Sequence, residues 1–492
     1  MSDRTLERSL KFLILLLALI LLAILVIPFT AEAQTPIYRS FQSGNTSVIA
    51  DLSANAMTIS GSTATFASAL PDTVGVGDAI QYDSSNAGSV NAIAFIHGRT
   101  NNKTYTVKRF NGGTPASCSG DTDGDIYRAY TALEAAGLQF GDENNGINNT
   151  VENFDAHTDG VNIDARGEIW YIAFYAGKES VTNGINWDDW NTSSTERLVL
   201  FSPCSKTEVG TSQRNLTTQL TARSYWHSAT TAGWSFNDDA GTRVTQHVDI
   251  IGLQFQVSGT GATTALTFRT ANEACDINIT DCLIVGSDSV STVGTAHVGI
   301  SIANGDAGGV MRIRNSVIYS FKTAGATTNE GGIWSNIGAS TGPSIYINNT
   351  TVYKCENGFR RVNVGNTFTV KNSITNRCAD GFNGGIGGNN NVSDISSDCG
   401  SCTAGITGTV AFTSQSTGDF SLQSGDTVAK NAGADLSADA NAPLTTDYRN
   451  YTRTGTFDCG AWEQGAAASG CSAEVDAATD NPTLRRRRAI IQ

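Results

Sequence analysis

The chain has few of the residues that build metal centres and nucleic-acid surfaces. Its 492 residues include 5 histidines, which are not clustered, and a zinc site would need more ligands than one cysteine pair. Lysine and arginine total 32 against 46 aspartates and glutamates, so the formal net charge is -14. The dense basic run of the sequence is Arg485 to Arg488. A nucleic-acid partner would need a basic surface, so none is expected.

The sequence also lacks a second long apolar run. The one present, from Phe12 to Ile27, follows Arg4, Arg8 and Lys11 and precedes the small-residue site at Ala31 to Ala33. This order is typical of a cleavable secretory signal over residues 1–33, with an uncleaved anchor as the alternative. Without another stretch of ~18 apolar residues, we expect no membrane insertion after cleavage and a secreted or cell-surface protein.

Glycine is abundant, at 51 residues, and threonine, serine and asparagine are frequent, a composition that suits short strands and tight turns. Five segments share one pattern: an apolar residue, a turn residue two positions later, and a second apolar residue three positions after the turn, replaced by Thr375 in the fifth. The segments begin at Val248, Asp276, Val310, Ser344 and Thr367. Alternation on both sides of a polar corner predicts two short strands that meet at a bend.

Two columns of residues run through these repeats. The turn residues are Gly252 and then Asp281, Asn315, Asn349 and Asn372. Between one corner and the next, a glycine opens another short strand, at Gly299, Gly332, Gly358 and Gly381. Three strands per turn with stacked corner residues describe a coil that buries its inner face only by stacking on the next coil.

The corner column resembles the asparagine ladders of right-handed parallel β-helix proteins of the pectate-lyase-like class. The resemblance implies an all-β solenoid, which we expect over residues 169–418. It supports the fold far better than an activity, because one scaffold carries many functions. A solenoid with bare ends would expose unpaired strand edges, so both ends should be covered.

Segments on either side are predicted to cover these ends. Asp125, followed by IYRAYTALEAA and Gly137, predicts a short N-terminal capping helix within a cap and linker at 119–168, and residues 34–118 predict a small separate β module. Residues 419–463, which end in the pattern from Asp458 to Glu463, resemble the choice-of-anchor Q module, a C-terminal β-helix segment of bacterial surface and secreted proteins. Residues 464–492 form a tail without an apolar span.

All 10 cysteines follow the apolar run, so disulfides are expected in an oxidising compartment. Cys355 and Cys378 occupy equivalent places on adjacent coils, whose strands are ~4.8 Å apart, within the Cα range of a disulfide. We predict that bond. Further candidate pairs are Cys459 with Cys471 and Cys399 with Cys402. A redox role is the alternative for the last pair, although a poor helix former follows it.

Alternation in the repeat also predicts an outward face with side chains suited to acidic sugars. They are Arg312, Arg314, Tyr346 and Lys371. Arginine and lysine would form charge-assisted hydrogen bonds with sugar carboxylates, and tyrosine would stack on a ring. The alternative is a solvated strand face. Trp187 and Trp190, in the segment NWDDW, are a second candidate as an exposed aromatic platform, with a buried cluster as the alternative.

Two acidic motifs are further candidates. Asp121, Asp123 and Asp125 offer three carboxylates in a short loop, which suits Ca2+, although helix capping also explains Asp125. His157 to Gly160 resembles part of the catalytic motif of β-helical polygalacturonases, with Asp159 at the place of the acid, but the sequence lacks the other signatures of that family. Ca2+ is therefore a candidate cofactor, and none is required.

These features favour an extracellular or cell-surface β-helix protein that binds a polysaccharide or a cell-surface glycan without catalysis. The basis is a repeat scaffold with variable loops and no complete catalytic set in the sequence. A polysaccharide lyase or a glycoside hydrolase acting on an acidic polysaccharide is the alternative, because this scaffold often carries such sites.

Overall fold

A computed structural model describes most of the chain after the first apolar run. The described residues are 34–133, 143–148, 150–152, 154, 157, 162–181, 184–187, 190–236, 246–259, 263–269, 274–287, 297–303, 308–322, 330–337, 342–363, 366–396, 398–399, 402–466 and 471. The predicted secretory signal at 1–33 and residues 472–492 lie outside them. In the described part, no helix has the length and apolar character needed to cross a membrane.

Three sheets of parallel strands, numbered 1 to 3, run along most of the described chain. Sheet 1 contains Thr35–Phe41, Glu168–Phe174, Leu198–Phe201, His247–Ile251, Cys275–Thr280, Gly309–Arg314, Ser344–Asn348, Phe368–Lys371, Gly387–Asn389 and Cys402–Thr403. Sheet 2 contains Gly177–Val181, Tyr225–Ala229, Gln254–Val257, Leu283–Val285, Val317–Tyr319, Thr351–Tyr353, Ile374–Asn376, Val392–Ser393 and Ile406–Thr407. Sheet 3 contains Ile185–Asn186, Trp234–Phe236, Thr263–Arg269, His297–Ala303, Gly331–Asn336, Asn357–Arg361 and Asp380–Asn383.

The chain visits sheets 1, 2 and 3 in turn, and each strand pairs in parallel with the strand one coil earlier. The predicted fold class is therefore confirmed: the protein is a parallel β-helix. Its inner face is a stack of apolar side chains held in register, which in sheet 1 are Ile250, Ile279, Ile313, Ile347 and Val370, all buried. Each coil thus completes the core of its neighbours.

The corner column forms the bend between sheets 1 and 2. Asp281, Asn315, Asn349 and Asn372 adopt left-handed backbone angles, with φ of 57°, 46°, 49° and 49°. Asparagine and aspartate tolerate this region better than other residues with a Cβ atom, which explains their place at a one-residue corner. Side-chain hydrogen bonds join two of its neighbouring pairs, since Asn315 Nδ2 donates to Asp281 Oδ1 at 3.2 Å and Asn372 Nδ2 to Asn349 Oδ1 at 3.3 Å.

The glycine column of sheet 3 is explained by crowding inside the coil. A Cβ atom on Gly332 would lie 2.7 Å from Val352 Cγ1, and one on Gly358 would lie 2.6 Å from Thr375 Cγ2. Both neighbours are buried side chains of sheet 2. Glycine is therefore required where the chain enters sheet 3, because a larger residue would collide with the core.

Gly358→Ala is expected to lower the free energy of unfolding by about 1–3 kcal/mol, the usual cost of overpacking a core. The added Cβ would also lie 2.6 Å from the backbone oxygen of Gly381. Urea denaturation of the purified variant measures the loss. Gly387→Ala is the matched control, because a Cβ atom there meets nothing within 4 Å. A Gly358→Ala variant as stable as that control would contradict the crowding.

An antiparallel sheet precedes the main coils. Its eight strands are Ala50–Asp51, Met57–Ser60, Thr63–Phe66, Ala79–Tyr82, Ala92–Asn101, Thr104–Lys108, Cys118–Asp121 and Asp125–Tyr127. One face has its own core. From the other, Ile93 and Phe95 join the apolar cluster of the first coils, with Ile37 and Trp170. This sheet therefore covers the N-terminal end of the solenoid.

The predicted capping helix is wrong at its start. Asp125–Tyr127 is a strand that pairs with Ala79–Gln81, and residues 134–142 lie outside the described part. Strand pairing buries Ile126 within the antiparallel sheet, which outweighs a local helical preference. Thr35–Phe41, expected in a separate module, pairs along its length with Glu168–Phe174 as the first strand of sheet 1. The described part contains one short α-helix, Ile163–Arg166, capped by the side chain of Asn162.

Residues 410–466, called here the C-terminal segment, return along the outside of the coils. They begin with an antiparallel hairpin, Phe412–Ser414 with Asp419–Leu422, joined through a 3-10 turn at Gln415–Thr417. Apolar residues of the segment pack on the outer side of sheet 2. Three corner asparagines donate to its backbone: Asn315 to Thr446 O at 2.7 Å, Asn349 to Asp458 O at 2.8 Å and Asn372 to Ala434 O at 2.7 Å. The corner column is thus also the docking line of the segment.

The cysteines pair differently from the prediction. Cys355 and Cys378 lie at equivalent places on adjacent coils, but both are thiols, so the predicted bond is wrong. In-register parallel strands hold two Cβ atoms about as far apart as the strands, ~4.8 Å, beyond the usual ~3.5–4.5 Å of a disulfide. Cys471 bonds Cys204 rather than Cys459, which is a thiol buried beside the corner column. The candidate pair Cys399 with Cys402 forms a disulfide.

Candidate functional site

The candidate sugar-binding residues Arg312, Arg314, Tyr346 and Lys371 share the outer face of sheet 1. The C-terminal segment covers part of that face. Its backbone oxygens at Asn441 and Pro443 accept hydrogen bonds from the two arginines, at 2.6 and 3.2 Å. Asp439 forms an ion pair with the lysine at 2.5 Å. The cationic groups of this face are therefore already bonded within the protein.

The predicted tryptophan platform is wrong. Trp187 is 0% and Trp190 2% exposed, and both belong to the core of the first coils. Trp187 packs on Trp234 with ring centroids 5.2 Å apart, and Trp190 meets Trp170 edge-on at 5.2 Å. These large rings fill the interior of the first coils, so they offer no surface to a sugar.

The three candidate calcium ligands take separate places. Asp121 ends one strand of the antiparallel sheet and is buried, Asp125 starts the next strand, and Asp123 lies between them. Asp121 Oδ1 accepts the backbone N–H of Asp123 at 3.2 Å. Among the residues that the structure describes, no group of three histidine, cysteine or acidic side chains is placed to hold a metal ion. Strand pairing has separated what the sequence shows as one loop.

The motif at His157 is only partly described, since Asp159 lies outside the described residues. His157 Nε2 lies 3.0 Å from Glu168 Oε1, and Trp170 Nε1 donates to the other oxygen of that carboxylate at 2.8 Å. The histidine packs against Phe110 and Trp170. Its described contacts are those of a structural pair, in which the histidine is 14% and the glutamate 6% exposed.

A groove of about 920 Å³ lies where the bend from sheet 2 to sheet 3 meets the hairpin of the C-terminal segment. One side, the corner wall, has one residue from each of four successive coils: Gly286, Ser320, Lys354 and Arg377. The other side, the hairpin wall, consists of residues 412–418. The groove therefore combines a regular, rigid scaffold with a single loop from a distant part of the chain.

The corner wall is a second column of left-handed residues. Ser320, Lys354 and Arg377 have φ of 66°, 53° and 55°. Each directly follows a sheet 2 strand, and the last residues of these strands are in register, as in the pairings of Tyr319 with Tyr353 and of Tyr353 with Asn376. Neighbouring coils are ~4.8 Å apart, so the backbones of Lys354 and Arg377 lie at about that spacing on adjacent coils.

Aromatic side chains form the floor of the groove. Tyr319 and Tyr353 are paired on adjacent coils, and Phe420 lies against both, with centroid distances of 4.9 Å to each. Tyr353 Oη donates to Gln415 Oε1 at 2.8 Å, which links the floor to the hairpin wall. The rings are tilted by 52° and 51° to Phe420, and Tyr353 and Phe420 are buried, so the floor is an apolar base for the groove rather than an exposed stacking platform.

The charge of the groove has one sign. Among its described lining residues, Lys354 and Arg377 are basic and none is acidic. The rest of the lining is neutral, with hydroxyl groups at Thr413, Ser414, Ser416 and Thr417 on the hairpin wall. In a chain with a formal net charge of -14, two basic lining residues distinguish this groove, although Asp394 lies beside it and accepts the backbone N–H of Arg377 at 2.9 Å.

The lining residues escaped prediction, although the sequence contains a signal for them. Each corner-wall residue stands at one fixed offset from a ladder residue: Gly286, Ser320, Lys354 and Arg377 follow Asp281, Asn315, Asn349 and Asn372. Extending the repeat past its first corner would have identified this column. The hairpin wall has no such signal, because its contact with the column depends on how the C-terminal segment folds back.

No model of a known protein family matches the chain, and no curated protein matches it either. The groove and the parallel β-helix that supports it are therefore the basis for assigning a function.

Proposed function

We propose that this protein is an extracellular or cell-surface β-helix protein that binds an acidic polysaccharide or glycan in the groove, without catalysis. The observation that carries the proposal is the presence of two basic residues from adjacent coils, Lys354 and Arg377, opposite a hydroxyl-rich wall. Cations form charge-assisted hydrogen bonds with sugar carboxylates or sulfates, and hydroxyl groups both donate to and accept from sugar hydroxyls. No cofactor is required for such binding.

Location outside the cytoplasm is part of this proposal. Two disulfides, Cys204 with Cys471 and Cys399 with Cys402, support it, because such bonds persist in oxidising compartments. The apolar run at residues 12–27, with its basic start and small-residue end, supports export as a cleaved signal.

We also propose kinship with the pectate-lyase-like β-helix proteins for the coils and with the choice-of-anchor Q module for residues 419–463. The corner ladder supports the first. For the second, the pattern from Asp458 to Glu463 lies at the ladder, where Asn349 Nδ2 donates to the backbone oxygens of Asp458 and Gly460 at 2.8 and 3.2 Å. If the pattern from Asp458 to Glu463 recurs in that module, its docking on the corner column would be the structural reason.

The double variant Lys354→Ala/Arg377→Ala is expected to bind an acidic oligosaccharide about 100-fold more weakly than the wild type. A hydrogen bond to a charged group contributes about 1.5–3 kcal/mol, and each 1.4 kcal/mol is about tenfold in affinity. Isothermal titration calorimetry with an oligogalacturonate and with a heparin oligosaccharide measures the loss and compares carboxylate with sulfate.

The matched control is Lys103→Ala/Lys206→Ala, which removes the same charge from residues that do not line the groove. Its affinity should equal that of the wild type. An equal loss in both double variants would show attraction by net charge alone, and tight binding that survives the loss of Lys354 and Arg377 would place the ligand elsewhere.

A glycoside hydrolase remains the second candidate, and one pair of carboxyl groups bears on it. Asp380 and Asp398 lie close enough at the end of sheet 3 for the Asp380 charge to act on Asp398, whose pKa is raised mainly by burial. Both oxygens of Asp398 are occupied, by the amides of Gly381 and Phe382 and by Ser393 Oγ. Those hydrogen bonds fit a structural role, in which the carboxylate of Asp398 caps the end of sheet 3, better than the role of a catalytic acid. Release of reducing ends from the same oligosaccharides without the unsaturated ends that a lyase produces, lost in Asp398→Asn, would establish hydrolysis.

A further inference from the structure

The two walls of the groove belong to distant parts of the chain. The corner wall is fixed by the coil stack, since each of its residues follows a strand paired on both sides. The hairpin wall at 412–418 is not part of that stack. Its position depends on contacts that the hairpin makes with the outside of the coils.

Thr218 makes the most direct of these contacts. It lies in the loop before the sheet 2 strand Tyr225–Ala229 and is 2% exposed. Its hydroxyl donates to Gly418 O at 2.6 Å and accepts the backbone N–H of Phe420 at 2.8 Å. One side chain thus bonds both backbone groups at the point where the hairpin wall ends and the second hairpin strand begins.

The same contact sets the aromatic floor. Phe420, whose amide Thr218 holds, packs between Tyr319 and Tyr353, and Gly418 lies against the hydroxyl of Tyr319. Thr218 itself does not line the groove. Any effect it has on a ligand must therefore pass through the hairpin.

We infer that Thr218 is a positioning residue for the groove: its hydroxyl holds the hairpin wall at the distance from the corner wall that the ligand requires. This inference rests on the proposed glycan-binding function. It implies that closure of the hairpin and occupancy of the groove are coupled, so a ligand in the groove stabilises the hairpin to the same extent that the hairpin favours the ligand.

Thr218→Val removes the hydroxyl and keeps the shape of the side chain. In the unliganded protein, amide hydrogen exchange of residues 412–418 is expected to become at least tenfold faster, because two bonds that hold the hairpin are lost. The affinity for an oligogalacturonate is expected to fall about tenfold, within the usual range of coupling between sites. Thr218→Ser should restore both values.

Thr150→Val is the matched control, because its hydroxyl bonds within its own turn, to Asn148 Oδ1 at 2.6 Å, and Thr150 does not line the groove. It should leave both measurements unchanged. If Thr218→Val does not fold, the coupling is tested by amide exchange in the wild type with and without oligogalacturonate. Slower exchange of residues 412–418 with the ligand supports the coupling, and equal exchange overturns it.

The two ideas fail in different ways. If residues 412–418 exchange at the same rate in Thr218→Val as in the wild type, the positioning role is overturned, whether or not a saccharide binds. Faster exchange combined with no saccharide binding by the wild type overturns the glycan function and leaves Thr218 as the residue that holds the hairpin. Faster exchange with unchanged affinity overturns the coupling alone.

Discussion

Arg453→Met is expected to lower the free energy of unfolding by about 3–5 kcal/mol. The side chain of Arg453 is 0% exposed, and its guanidinium pairs with Glu463 at 2.8 Å. It also donates to Thr446 O, Gly460 O and the side chain of Asn315, at 3.0, 2.9 and 3.2 Å. Removing one partner of a buried ion pair leaves the other charge without compensation, which is the main source of the loss.

The titration of Glu463 should also change when the ion pair with Arg453 is lost. Burial raises the pKa of Glu463 to about 6, and the Arg453 guanidinium acts against that rise. Without the arginine, the pKa should rise further. Urea denaturation at pH 5 and pH 7.5 measures both effects, since the loss should be larger at the higher pH, where the unpaired carboxylate is charged. Lys103→Met, an exposed cation, is the control, and an Arg453→Met variant within about 0.5 kcal/mol of it would mean that the pair contributes nothing.

Asp281→Asn is expected to gain about 3 kcal/mol of stability relative to the wild type between pH 3.5 and pH 7.5. Burial raises the pKa of Asp281 from 3.8 to about 6, partly opposed by Arg214, whose guanidinium lies 2.9 Å away. Asp447 adds to the rise, and Arg314 and Asn315 oppose it. A shift of about 2 units corresponds to about 3 kcal/mol, because one unit is 1.36 kcal/mol.

The sign of this pH dependence follows from the direction in which folding shifts the pKa of Asp281. A carboxyl whose pKa is higher in the folded state contributes its stability below the unfolded pKa, and this contribution is lost as the pH rises through about 6. Asparagine does not titrate, and it occupies the same left-handed corner on the next three coils. Its loss of the ion pair with Arg214 is a constant offset, so the informative quantity is the change with pH.

Thermal and urea denaturation of both proteins across this pH range provide the test. Asp435→Asn serves as a contrast, since Asp435 is exposed and hydrogen bonds from Ser437 lower its pKa. Its difference from the wild type should change with pH in the opposite direction. A stability difference between Asp281→Asn and the wild type that is constant with pH would show that Asp281 titrates alike in the folded and unfolded chains.

The repeat was predictable because its physical causes are local. A left-handed corner accepts few residues, and strands on both sides must alternate, so Asn315 and Asn349 mark the coils in the sequence itself. Glycines such as Gly358 are equally visible, since crowding excludes any larger residue at that place.

The site and the covering segments were not predictable in the same way. The pattern around Asp125 is compatible with a helix until a partner strand is known, and the sequence around Trp187 allows an exposed platform as well as the more common buried cluster. The bond between Cys204 and Cys471 depends on where the C-terminal segment returns. The face that holds Lys371 is covered by the same segment. These errors share one source, which is a contact between parts of the chain far apart in sequence, whereas the predicted bond between Cys355 and Cys378 failed because of the spacing of adjacent strands.

The bond between Cys204 and Cys471 also determines how the protein would carry force. It joins residues 267 apart in sequence, and Cys204 follows the sheet 1 strand Leu198–Phe201, near the N-terminal end of the solenoid. Tension applied to the chain beyond Cys471 therefore enters the fold at an early coil through a covalent bond. The later coils and the C-terminal segment are bypassed, so a pull at that end would leave both walls of the groove unloaded.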